Sequence, residues 1–198
     1  MFTDRELSCL QDTYFLRTKA TAMQKVQQLL QQTLDDLQQR VVAHSRTYPE
    51  GVQTQAGKLS RGENYRGFPY LVLDYPRKFS QDDVFALRTM FWWGHFYSVT
   101  FQLGGTSWGR YRPAAQRNLL RLSGTSVWLG VNNDPWQHHR QPDNYRPLDA
   151  LSAKEQQNQL AEVNFLKLAR FLPVDAWELL PQAASLFLND MVELIELE

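Results

Sequence analysis

The sequence predicts an α+β fold: an antiparallel sheet of about four strands, packed with a long N-terminal helix and two or three C-terminal helices. Three observations carry this. Apolar residues recur at helical spacing near both ends of the chain, clean period-2 alternation appears in the middle, and 17 of the 25 aromatic residues lie between Tyr65 and Tyr145. Aromatic and β-branched residues suit a pleated, half-buried surface.

The N-terminal segment, residues 1–48, reads as helix. Thr3 and Glu6 form a capping-box pattern, with Phe2 and Leu7 at the flanking staple positions. Met23, Val26, Leu30, Leu34, Leu37 and Val41 then repeat at steps of three and four, which places them on one helical face. The stripe is narrow. It suits packing against a sheet, or a seam between two copies of the chain, so a homodimer through this helix is the partner it allows. The helix is expected to end between Ser45 and Pro49, with residues 46–57 as a loop.

The sheet region spans residues 57–131. Phe68–Tyr75 is the first strand, ending at Pro76. Val84–Trp93 and Phe96–Leu103 form a hairpin around Gly94. Val84–Trp93 also matches a helical face through Val84, Leu87 and Phe91; its aromatic content and the Gly before a clear strand favour strand. Ser126–Val131 is the fourth strand. Pro113–Leu122 reads as a helix with Pro113 in its first turn. Residues 150–198 return to helix. Ser152 and Glu155 repeat the capping box, the apolar run through Phe165, Leu168 and Leu172 continues that helix to Pro173, and Leu186, Phe187, Met191, Leu194 and Ile195 mark a last one.

The 198 residues suit one domain, with no internal repeat or low-complexity linker to divide them. The single Cys9 excludes a disulfide scaffold and fits a reducing compartment, so a cytoplasmic location is expected. No run of 18 apolar residues implies a membrane span, and no secretory signal is expected in MFTDRELSCL. Charge is balanced overall but not locally: residues 58–148 carry a net +6 and residues 149–198 a net −6. A basic middle concentrates anions without identifying them.

Motifs for chemistry are sparse. His44, His95, His138 and His139 show no helical zinc spacing, and no motif calls for a metal or cofactor. LGGTSWGRYRP follows a strand and resembles a phosphate loop only loosely, since Arg110 and Tyr111 stand where Lys and Ser or Thr belong; its arginines still suit an anion. Lys58–Gly67 reads as a loop in which Arg61 binds a carboxylate or phosphate and Glu63 pairs with it or acts as a base, beside Tyr65.

The alternation makes a stronger argument. With Tyr97, Val99, Phe101 and Leu103 facing the helices, Ser98, Thr100 and Gln102 face away. On the neighbouring strand Phe85, Leu87, Phe91 and Trp93 share the core side, and Arg88, Met90 and Trp92 the other. A face carrying Arg88, Trp92 and Trp128, rimmed by Arg61, Glu63, Tyr65, His95 and Arg110, mixes flat apolar area with hydrogen-bond donors, as binding pockets do. The expected function is therefore binding of a polar or anionic small ligand or peptide. The alternatives are a hydrolase or transferase on an anionic substrate, with Glu63, Asp74 or His95 as acid or base, and a structural subunit that pairs through the N-terminal helix. Nucleic acid is disfavoured, because lysine is sparse and the whole-chain charge is zero.

Overall fold

The computed structural model describes residues 1–43 and 48–197. Helix α1 (Asp4–Gln11) carries the Thr3–Glu6 capping box, with both reciprocal bonds formed. Helix α2 runs from Thr13 to Ala43. Residues 44–47, which include most of the stretch from Ser45 to Pro49 where it was expected to end, lie outside the described residues. The stripe from Met23 to Val41 is buried in the main core, so α2 packs within the molecule. Phe2 and Leu7, at the two staple positions, are both exposed.

The sheet has seven strands rather than about four. They are β1 (Lys58–Tyr65), β2 (Phe68–Phe79), β3 (Asp83–Trp92), β4 (Phe96–Gly104), β5 (Trp128–Gly130), β6 (Tyr145–Pro147) and β7 (Phe165–Leu172). Their order is β1-β2-β3-β4-β7-β5-β6, and every pairing is antiparallel. Val84–Trp93 is a strand, as favoured, and the β3–β4 hairpin turns at Gly94.

Four readings need correction. Lys58–Gly67 is the edge strand β1 and its turn, not a loop; its polar residues reflect an edge whose side chains largely meet solvent. β2 continues past Pro76 to Phe79, with a register shift between Asp74 and Arg77 that accommodates the proline. LGGTSWGRYRP, read as a loop whose arginines suit an anion, is helix from Gly105 onward. Helix α3 (Gly105–Asn118) starts immediately after β4, Pro113 lies inside it, and Asp83 Oδ1 accepts the Ser107 N–H at 2.7 Å, filling the helix N-terminus with a carboxylate from the chain itself. Finally, the helix capped by Ser152, α4 (Ala153–Glu162), stops at Val163, and FLKLARFL is strand β7. Its alternation sends Leu166, Leu168 and Leu172 to the core; the leucines fit a helical run only when read together with Leu160 and Val163.

Helix α5 (Leu180–Leu194) has Pro181 in its first turn and buries Phe187 and Met191; Leu186, read with the apolar side, is exposed. Helices α2, α3 and α5 cover one face of the sheet, over Leu73, Phe85, Leu87, Val99, Phe101 and Leu168. None of the described helices contributes to the small cluster on the other face, formed by Val72, Met90 and Trp92 with Tyr65, Tyr70 and Phe96.

Candidate functional site

Pairing register builds the second face. Asp74 pairs with Arg88, Arg88 with Thr100, Thr100 with Ala169 and Ala169 with Trp128, giving one row across five strands. Arg88 and Trp92 thus stand on the same side, as alternation required. None of the described helices packs into the apolar cluster on that side. The segment between β5 and β6, residues 131–144, crosses it as a strap.

The strap is fastened along its length. Arg88 makes a two-pronged ion pair with Asp74, Nε to Oδ1 at 2.7 Å and Nη2 to Oδ2 at 3.0 Å. Its third arm, Nη1, lies 3.2 Å from His138 Nε2, and the guanidinium packs against the rings of Phe79 and Trp136. Burial, then the charges of Lys167 and Arg88, push the His138 imidazole well below its ordinary pKa. A neutral ring accepts the Arg88 proton through Nε2. Lys167, 2% exposed, donates to the Gln137 carbonyl and lies 5.0 Å over the Tyr145 ring. Tyr65 holds the next stretch: its hydroxyl accepts the backbone N–H groups of His138 at 2.6 Å and His139 at 3.1 Å. Ser98, Thr100 and Gln102, expected on an open face, are buried beneath these contacts.

The face opens at one end. Gly94, at a φ of 75°, supplies the left-handed residue of the β3–β4 turn and brings His95 back over Trp92, with ring centroids 3.5 Å apart. Trp92 is 5% exposed, and its indole N–H donates to the Tyr65 carbonyl at 3.1 Å. Between this turn and the far bend of the strap lies a cavity of about 630 Å³. Trp92 and Phe96 provide its apolar surface, while Arg66, His95, His139, Arg140 and Gln141 provide the polar groups. Among the described residues no carboxylate belongs to the lining; Asp143 stands behind His139, within electrostatic reach of Arg66. Arg140 sits 4.4 Å over the Trp128 ring and 5.4 Å over Phe171, which fixes its guanidinium beside the opening. His139 Nε2 lies 3.1 Å from Asp143 Oδ2 and 3.3 Å from Arg66 Nη2. The bond from His139 holds the Asp143 carboxyl below its usual value.

Five residues singled out in the sequence therefore gather on this face. Trp92 and His95 line the cavity, Tyr65 and Trp128 support its walls, and Arg88 is committed to Asp74 and His138 beneath the strap. The other three lie elsewhere. Arg61 pairs with Glu63 at 2.6 Å, and Glu63 also meets Lys19 of α2 at 3.3 Å, on the helix-bearing side of the sheet edge. Arg110 lies on α3, stacked on Tyr111. Sequence reasoning missed Arg66, His139 and Arg140. The signal is present in QHHR, four residues rich in nitrogen within a turn-rich stretch, but zinc spacing, the criterion applied to the histidines, does not detect it. Comparison with protein-family models, curated proteins and solved structures finds no match, so the chemistry of this site is read from its own residues.

Proposed function

We propose that the protein binds a small anionic ligand with a planar or apolar portion in the cavity between the β3–β4 turn and the strap. One observation carries the reading: Arg66 and Arg140 line the cavity together with an indole and a phenyl ring, and the nearby Asp143 carboxylate, bonded to His139 behind the lining, offsets only one of the two positive charges. Guanidinium forks recognise carboxylate or phosphate by paired hydrogen bonds. Trp92 and Phe96 offer the ligand's apolar part a surface to leave water against.

The test uses two probes, benzoate and inorganic phosphate, followed by tryptophan fluorescence at low ionic strength. Saturable quenching by benzoate is expected, weaker for phosphate, and reduced roughly tenfold or more in affinity by either Arg66→Ala or Arg140→Ala. The change in signal is expected to disappear in Trp92→Phe. Absence of saturable binding by both probes, or equal binding by the arginine variants, overturns the proposal.

A further inference from the structure

We propose that α1 and the first turns of α2 form a contact between two copies of this chain. Residues 1–18 are all exposed, and α2 first meets the body of the molecule where Lys19 reaches Glu63 and Met23 enters the core. This arm is nevertheless built as helix. The Thr3–Glu6 box caps α1, and Asp12 Oδ1 accepts the Phe15 N–H at 2.8 Å to start α2. Helices shorter than about 12 residues are marginal in water without a surface to pack against, and α1 has 8. The arm is also apolar. Phe2 is 67% exposed, Tyr14 79% and Phe15 51%, and Met1, Leu7, Leu10 and Leu16 stand out beside them. Phe2, Leu10, Phe15 and Leu16 converge on a groove of about 700 Å³.

Two arguments select a second copy as the occupant. The first is charge. Arg5, Glu6 and Asp12 lie along the groove, so its rim carries both signs. A two-fold pairing sets Arg5 of one copy against Glu6 or Asp12 of the other, the self-complementarity that an isologous interface requires. Residues 1–18 carry a net −1, which anionic lipid headgroups repel. The second argument is area. The exposed apolar side chains of the arm amount to on the order of 800 Å², about what one partner contributes to a standard interface. The stripe from Met23 to Val41, which as a sequence also suited a dimer seam, is occupied within the molecule, and the arm lies just ahead of it.

Sedimentation velocity of the full chain, from low to high micromolar concentration, tests the proposal. A dimer is expected. The double variant Leu10→Glu/Phe15→Glu is expected to weaken it roughly 100-fold or more at unchanged thermal stability, since both side chains are exposed in the single chain. Arg5→Glu, which leaves the apolar surface intact, is expected to weaken it less. Leu120→Glu, an exposed apolar residue outside the arm, leaves the dimer unaltered. A bismaleimide is expected to join Cys9 of one copy to Cys9 of the other, and to fail in the double variant. A chain that is monomeric at every concentration, or a double variant that dimerises as well as the parent, overturns the proposal. So does a monomer that co-floats with phosphatidylcholine vesicles, which makes lipid the occupant.

Discussion

Replacing Lys167 by methionine tests the strap from beneath. Lys167 is 2% exposed, and burial, with the charge of Arg88 adding to it, lowers its pKa to about 7, while Asp134 draws it slightly the other way. In the unfolded chain a lysine titrates near 10.4. Between these two values the unfolded chain holds a proton that the folded chain has released, so stability rises with pH across that window and is insensitive to Lys167 below it. One proton gives a slope of about 1.4 kcal/mol per pH unit, and hence a gain of roughly 3 kcal/mol from pH 7 to pH 9.5. Other buried groups act outside this window. His138, held neutral, withdraws stability as pH falls below about 6.5, and Tyr48 and Tyr145, raised by burial, withdraw it above about 10. Urea denaturation at half-unit intervals of pH reads the slope. The Lys167→Met variant is expected to be flat over the same range and more stable than the parent at pH 7 by about 1–3 kcal/mol, less whatever the lost bond to Gln137 contributed. A flat profile in the parent chain, or an equal slope in both, refutes the placement of Lys167 under the strap.

Arg88→Met leaves the Asp74 carboxylate, 4% exposed, without its partner and is expected to cost about 3 kcal/mol in urea denaturation; adding Asp74→Asn is expected to return most of that loss. Gly105→Ala is expected to cost roughly 2–4 kcal/mol, because φ is 56° there and a Cβ would stand 1.9 Å from the Asp82 carbonyl oxygen. Gly109→Ala, four residues along the same helix with nothing within 4 Å of its Cβ, is expected to stabilise by about 0.5–1 kcal/mol by the same assay.

The legible parts of the fold are those in which local pattern and tertiary role agree. The β3–β4 hairpin alternates because one of its faces meets α2, α3 and α5, and that alternation assigns both faces correctly. The stripe of α2 was legible for the same reason. β7 was not, although FLKLARFL alternates between Leu166, Leu168 and Leu172 on one side and Phe165, Lys167, Ala169 and Phe171 on the other. Both its faces are buried, so apolar residues fall on each and blur the period. β1 failed for the opposite reason: an edge strand with exposed side chains carries little apolar signal, and its pairing with β2 is made by backbone groups that every residue has.

The cavity was the hardest feature to read because no single segment contains it. Arg66 comes from the β1–β2 turn, Trp92 and His95 from the end of β3 and the turn after it, and His139 and Arg140 from the strap, so the set spans more than a third of the chain. What brings them together is the polarity of the second face. A row holding Asp74, Arg88 and Thr100 gives a helix little apolar surface to pack on, whereas an irregular segment has backbone groups and polar side chains free to satisfy it. The strap accordingly runs from Phe79 and Trp136 over Arg88 to Tyr65, where the hydroxyl takes two consecutive N–H groups, and then turns back toward β6. Trp92 and Phe96 lie at the end of the sheet beyond that reversal. The same contacts that seal the centre of the face leave its aromatic end open, and the arginine that the strap carries to the rim is steadied there by Trp128, a ring whose place on this face follows from alternation alone.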